Sequence, residues 1–242
     1  MAVVTPDTVE IANLLKRERY YRDTGQWCLC RAAYHPDPSR THINVVWSVI
    51  NTFPVPEKLT PNFPFRYEGQ VEDFLHQSAK VHRGKVNIIH SSFDPVDIRI
   101  RGRRATSEAF CLITSSILMH GVDYELASYI RLATRLEKCR APDTEANASA
   151  DQGQWRILSL EAIYVRDRLV RAVPDLGGGR STPSALAEVT DVERYPRCYR
   201  NMALVMLKRG LRPRLDLPNE DDQESVRTVL DRNQAFLDDT EE

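Results

Sequence analysis

The stretch Tyr124-Glu-Leu-Ala-Ser-Tyr-Ile-Arg-Leu-Ala-Thr-Arg-Leu-Glu137 alternates apolar and polar residues. In an extended chain Leu126, Ile130, Leu132 and Leu136 fall on one side, and Glu125, Tyr129, Arg131, Arg135 and Glu137 on the other. A period of two belongs to a strand with two unlike faces. The same alternation lies upstream, where Val96, Ile98 and Ile100 interleave with Asp97, Arg99 and Arg101 before Gly102-Arg103 turns the chain, and downstream over residues 155–166. Residues 96–166 therefore read as a curved antiparallel meander. A polar face carrying Tyr and Arg is either a pocket lining or a solvated exterior. The reading taken here turns it inward, onto a chamber.

Elements on either side extend this pattern. Residues 41–50 form a further strand, as do 86–90 and 105–118; the flanking strands favour β over helix for the last. At the N-terminus Asp7 is placed to cap a helix with Glu10 returning the bond, Ile11, Leu14 and Leu15 form its apolar stripe, and Glu18 continues that stripe less well. Thr24-Gly25 ends this helix. A short helix over 26–33 is stopped by Tyr34-His35-Pro36-Asp37-Pro38. Pro54, Pro56, Pro61 and Pro64 among Phe53, Phe63, Phe65 and Tyr67 make a long irregular loop, placed as a lid. A third helix spans 68–83, and residues 140–153 form a polar hairpin tip. Beyond Arg168 the character changes: residues 174–184 are a Gly- and Pro-rich linker. Pro196 then opens a helix with Tyr199, Met202, Ala203, Met206 and Leu207 on its apolar face, and Asn219 caps a last one carrying Val226, Val229, Leu230, Phe236 and Leu237. The division expected is a core domain over 1–172 and a linker with a helical extension over 173–242.

The bulk properties exclude several classes. The chain has 242 residues, 42% hydrophobic and 28% charged, with a net charge of −1, so it can bury a core and shows no basic excess for nucleic acid. Five cysteines, odd in number and scattered, do not make a disulfide framework. No apolar run reaches membrane-spanning length, no secretory leader pattern opens the chain, and no His/Cys spacing is diagnostic of a metal site. The expectation is a cytoplasmic protein.

Five segments in order, Arg19-Tyr20-Tyr21-Arg22-Asp23 with Trp27, the turn Tyr34-His35-Pro36-Asp37, His90 through Ile98-Arg99-Ile100-Arg101-Gly102-Arg103-Arg104-Ala105, Trp155-Arg156-Ile157, and Tyr164-Val165-Arg166-Asp167, resemble the SnoaL-like branch of the nuclear-transport-factor-2-like superfamily. That branch includes polyketide cyclases and scytalone dehydratase, with ketosteroid isomerase a more distant relative. The resemblance covers residues 7 to 170. It implies an α+β fold: a cystatin-like curved antiparallel sheet, or cone, packed with N-terminal helices, to which this chain adds a helical C-terminal extension. It implies a homodimer and a cofactor-free pocket. It matches Asp23 to the family's aspartate at the end of the first helix and His90 to its first sheet histidine. Arg22 stands where the dehydratase carries a tyrosine, with Tyr21 one step away. The second sheet histidine falls near Tyr129 and Arg131.

The residue chemistry is consistent with this. Histidine exchanges protons near neutral pH, and a neighbouring carboxylate fixes its tautomer. An arginine cannot give up its proton and so stabilises an anion. His90, Asp23, Tyr129 and Arg131 are thus the expected catalytic residues, with Tyr21, Asp37, His42, Asn44, Trp47 and Tyr164 lining the substrate site. The expected activity is that of a lyase, isomerase or cyclase on an aromatic or polyketide-derived small molecule. The alternatives are a non-catalytic assembly module and a ligand carrier.

Overall fold

The computed structural model describes residues 5–45, 67–82, 86, 88–95, 97–119, 121–140, 153–172, 191–208 and 211–239. Trp47, the Pro-rich loop, the hairpin tip and the Gly-rich linker lie outside them. Helix α1 (Pro6–Asp23) leads into the short α2 (Trp27–Ala32), a 3₁₀ turn (Pro38–Arg40) and strand β1 (His42–Val45). There follow β2 (Tyr67–Gly69), α3 (Val71–His82), β3 (Ile88–Ser92) and β4 (Asp97–Arg101). The long strands β5 (Arg104–Met119), β6 (Val122–Arg140) and β7 (Gly153–Arg171) come next, then 3₁₀ turns and helices α4 (Arg200–Lys208) and α5 (Gln223–Asp238). The expected α+β pattern holds. The third helix starts later than its sequence suggests, because Tyr67–Gly69 is drawn into antiparallel pairing with β1.

All seven strands make one curved, unclosed sheet in the order β2-β1-β7-β6-β5-β3, with β4 also paired to β5. β5 and β6 pair along their whole length, from Arg104 opposite Glu137 to Met119 opposite Val122. Gly121, at φ 76°, closes that hairpin in the left-handed region. The β6–β7 ladder shifts register twice, leaving Leu158 and Val165 unopposed on β7. Such bulges bend a strand and increase its twist, which curves the sheet around its helices. β1 adds to β7 in parallel, an arrangement the N-terminal helices make possible by carrying the chain across.

The two faces of β6 settle differently from expectation. Leu126, Ile130, Leu132 and Leu136 belong to the main core with Ile11 and Leu15 of α1. The apolar face is therefore the inward one. The face bearing Tyr129, Arg131 and Arg135 is turned outward, where Ala133 and Ile163 pack under Val226 and Val229 of α5. A period of two separates the faces but is silent on which helix covers which. The long apolar row, needing the larger cover, went to α1 and the α4 segment.

Both terminal caps also differ from expectation. Thr5 caps α1 in a reciprocal box with Thr8. Asp7 instead accepts from Trp155 Nε1 and Lys138 Nζ, each at 3.0 Å, and Glu10 accepts from the Trp155 backbone N–H at 3.1 Å. The two carboxylates pin α1 to the sheet rather than to itself. Likewise Asp222, not Asn219, caps α5; Asn219 is buried beside Tyr164, whose N–H donates to the Pro218 carbonyl at 2.8 Å.

Because Val229 is fully buried between α5 and the outward sheet face, Val229→Ala should cost about 1–3 kcal/mol, measured as a shift in the urea midpoint at unchanged slope.

Candidate active site

The site is built at the C-terminal end of α1. An apolar stripe rolls Ile11 and Leu15 onto the sheet, and the same roll carries Glu18 inside, with no solvent exposure. Glu18 Oε1 accepts from Tyr34 Oη at 2.8 Å and more weakly from Cys30 Sγ at 3.8 Å, and Oε2 accepts from Arg19 at 2.8 Å. Burial works to raise the Glu18 carboxyl, but the charges of Arg22 and Arg19 and the Tyr34 hydroxyl overcome it and hold it below the ordinary range. Glu18 is an ionised, fully desolvated anchor.

Further along the same helix, Asp23 meets His90 of β3. Asp23 Oδ2 accepts the His90 backbone N–H at 2.7 Å, and Oδ1 lies 2.6 Å from His90 Nδ1. One carboxylate thus holds both the strand and the ring. The side chains keep 13% (His90) and 11% (Asp23) exposure. Burial raises Asp23, and the charge and hydrogen bonds of His90 with the charge of Arg22 more than reverse this, so Asp23 lies below the ordinary carboxylate range. Burial and then the Arg22 charge push His90 below its ordinary value against the pull of Asp23, so the imidazole is neutral at neutral pH. Among the described residues nothing hydrogen-bonds to His90 Nε2. The end of α1 is locked from outside by His82, which bonds the Asp23 carbonyl at 2.9 Å and stacks edge-on to Trp27. Gly25 permits this: it has φ 71°, and a Cβ there would stand 2.9 Å from the His82 ring.

Across the sheet, His90, Ile113, Ser128 and Asp167 stand opposite one another in a single row and so share a face. Ile113 and Ser128 lie in that row between His90 and Asp167. Asp167 accepts from the Met202 N–H at 2.6 Å and from Asn201 Nδ2 at 2.8 Å, fixing the start of α4 against β7.

The register also shows which expected residues are apart. Tyr129 and Arg131 alternate out of that row and point to the other face. Arg131 there bridges Glu108 of β5 at 2.7 Å and Glu220 at 2.6 Å. The Arg166 guanidinium lies 4.4 Å from the Tyr129 ring centre. One chamber holding His90, Tyr129 and Arg131 is therefore not what the sheet builds. Asp37 caps the 3₁₀ turn through Ser39. His42 faces Glu68 at 3.8 Å on β2. Asn44 is buried in β1, Tyr21 packs on the core beside Tyr20, and Tyr164 stacks edge-on against Tyr199. Sequence reasoning missed Glu18 and Arg22 as members of the site. The signal was present: a carboxylate continuing an apolar stripe, and an arginine where the resembling family has a tyrosine.

Among the described residues no group of three or more His, Cys, Asp or Glu is placed to hold a metal ion, and no helix is long and apolar enough to cross a membrane.

No protein-family model and no curated protein matches the sequence. Solved structures do. The Mycobacterium tuberculosis protein Rv3472, of unknown function, is 16% identical over 84% of this chain and 88% of its own, at a TM-score of 0.43. A hexachlorocyclohexane dehydrochlorinase (LinA) of type 2 is 9% identical over 71% and 93%, at 0.43. An NTF2-like protein with a cystatin-like fold from Novosphingobium aromaticivorans is 16% identical over 74% and 88%, at 0.38.

The pH dependence of stability follows from the dyad. A His90 pKa lowered on folding means the unfolded chain binds more protons near pH 6, so its contribution is complete above about pH 6.5 and is lost as pH falls through the folded value. Asp23, also lowered, adds a second loss below about pH 4. Urea unfolding between pH 8 and 5 should show stability falling with acid in the wild type and a flatter profile in His90→Asn. Structures described as nuclear-transport-factor-2-like are among those that match, at 16% identity and TM-scores of 0.36 to 0.42.

Proposed function

We propose that the protein is a cofactor-independent lyase, isomerase or cyclase that moves protons on a small aromatic or polyketide-derived molecule. The observation that carries this reading is the buried His90–Asp23 pair, with its 2.6 Å ring contact and its 2.7 Å bond to the strand. Asp23 receives the Nδ1–H of His90 and so leaves the lone pair on Nε2, the nitrogen with no partner among the described residues. Nε2 takes a proton from a carbon beside a carbonyl, and the C–H electron pair moves onto the carbonyl oxygen. The imidazolium that forms is stabilised by Asp23, whose carboxylate stays ionised. Return of the proton to a different carbon completes an isomerisation. Collapse of the enolate with loss of a β-substituent, which takes up the proton, completes an elimination. His90 and Asp23 are only 13% and 11% exposed, which limits bulk water at the enolate.

The test is solvent-deuterium incorporation, followed by NMR, into a panel of cyclic β,γ-unsaturated ketones and aromatic β-hydroxy ketones. Wild-type protein should exchange the activated hydrogen. His90→Ala and Asp23→Asn should slow exchange by about 10²–10⁴-fold. Arg131→Ala, altered on the opposite face, should leave it unchanged. Exchange persisting at the wild-type rate in His90→Ala would overturn the assignment.

A further inference from the structure

We propose that Arg22 is an anion clamp, and that the molecule bound against the His90–Asp23 pair is a small organic acid whose carboxylate docks on the Arg22 guanidinium. The proposal takes the location of the ligand from the reading above and adds its chemical class.

The observation is an arginine without a hydrogen bond. The Arg22 side chain is 11% exposed, stacked with its guanidinium carbon 5.5 Å from the Phe74 ring centre. Its Nε is out of reach of water and has no acceptor, and among the described residues no side-chain hydrogen bond to Arg22 forms. The carboxylates nearby are already engaged. Glu18 Oε1 stands 3.6 Å from Arg22 Nε but accepts from Tyr34, and Glu18 Oε2 accepts from Arg19. Both oxygens of Asp23 serve His90. A guanidinium presents five N–H groups in a planar fork that matches a carboxylate edge. Leaving the Nε–H of that fork buried and unanswered is costly, and such orphans in native proteins call for a partner. Arg131 cannot take this role, since Glu108 and Glu220 already occupy it.

Charge balance gives the clamp a signature. Glu18 and Asp23 are answered by Arg19 and Arg22, so the cluster is neutral while His90 is neutral. The remaining titratable groups around it, Cys30, Tyr34 and Cys111, are held protonated because burial pushes each of them up. An incoming carboxylate brings one surplus negative charge, which a proton on His90 cancels. Binding and proton uptake by His90 are therefore linked.

Benzoate and its neutral isostere benzamide are the probes, titrated into the full chain while the His90 ring proton is followed by NMR across pH 5–8. Wild type should bind benzoate and not benzamide, with affinity rising as pH falls and the His90 midpoint moving up on saturation. Arg22→Gln should weaken benzoate by about 10- to 100-fold, and Arg22→Lys should recover part of it. Thermal melts establish whether each variant is folded; if Arg22→Gln is not, weaker benzoate binding by a folded Arg22→Lys carries the same support, and wild-type binding by it overturns the clamp. Equal binding of the two probes, no benzoate binding by wild type, or a folded Arg22→Gln that binds benzoate as wild type does would each overturn the clamp. In His90→Ala at pH 8 the Arg22-dependent benzoate affinity should persist. A failed catalytic reading therefore leaves this result standing, while loss of the Arg22 dependence there defeats the clamp alone.

Discussion

A carboxylate with no access to water must be answered by donors on every side, and Glu18 is that group. Its ionised form is stable only because Tyr34, Arg19 and Arg22 surround it. The partners come from two places. Arg19 and Arg22 come from α1 itself, and Tyr34 comes from the turn whose backbone bridges to Ile157 on β7. Satisfying Glu18 therefore fixes the roll of α1, its distance from the following turn and the attachment of that turn to the sheet. Asp23, one and a half turns further along the same helix, arrives opposite His90 as a consequence. The geometry of the proposed proton transfer is inherited from an interaction that takes no part in it.

The sheet supplies the other half. His90, Ile113, Ser128 and Asp167 face one way by register alone. Arg131 and Tyr129 face the other way by the same register. Two bulges on β7 curve the sheet without inverting this parity across β5 and β6, so a residue's side is decided by its odd or even place along the strand.

Much of this was legible in the residues. The alternation over β4, β6 and β7 identified the meander, Thr24-Gly25 ended α1 where the structure ends it, and His90 with Asp23 could be paired through a family resemblance. What the residues could not reveal was which side of the sheet is inward. Leu126, Ile130, Leu132 and Leu136 mark a buried face, but Ala133, Ile163, Val226 and Val229 bury part of the opposite face as well. A covered polar face and a pocket lining have the same periodicity. Arg131 was misplaced for that reason. The capping errors share a cause: Asp7 and Asn219 have the right side chains for caps, but Trp155, 148 residues from Asp7, competes for the first, and a tertiary bridge to Tyr164 takes the second.

The lateness of α5 in the chain bears on how the molecule is made. Arg131 waits 89 residues for Glu220, and Arg104 reaches across 132 residues to the Phe236 carbonyl. During synthesis the meander is complete well before that helix leaves the ribosome, so its outer surface spends an interval in water. Glu108, Arg131, Arg135 and Glu161 on that surface are hydrated side chains suited to such an interval, and an aliphatic surface of the same size would be an adhesive edge for other nascent chains. The ion pairs under the last helix are thus as much a provision for the unfinished chain as for the finished one.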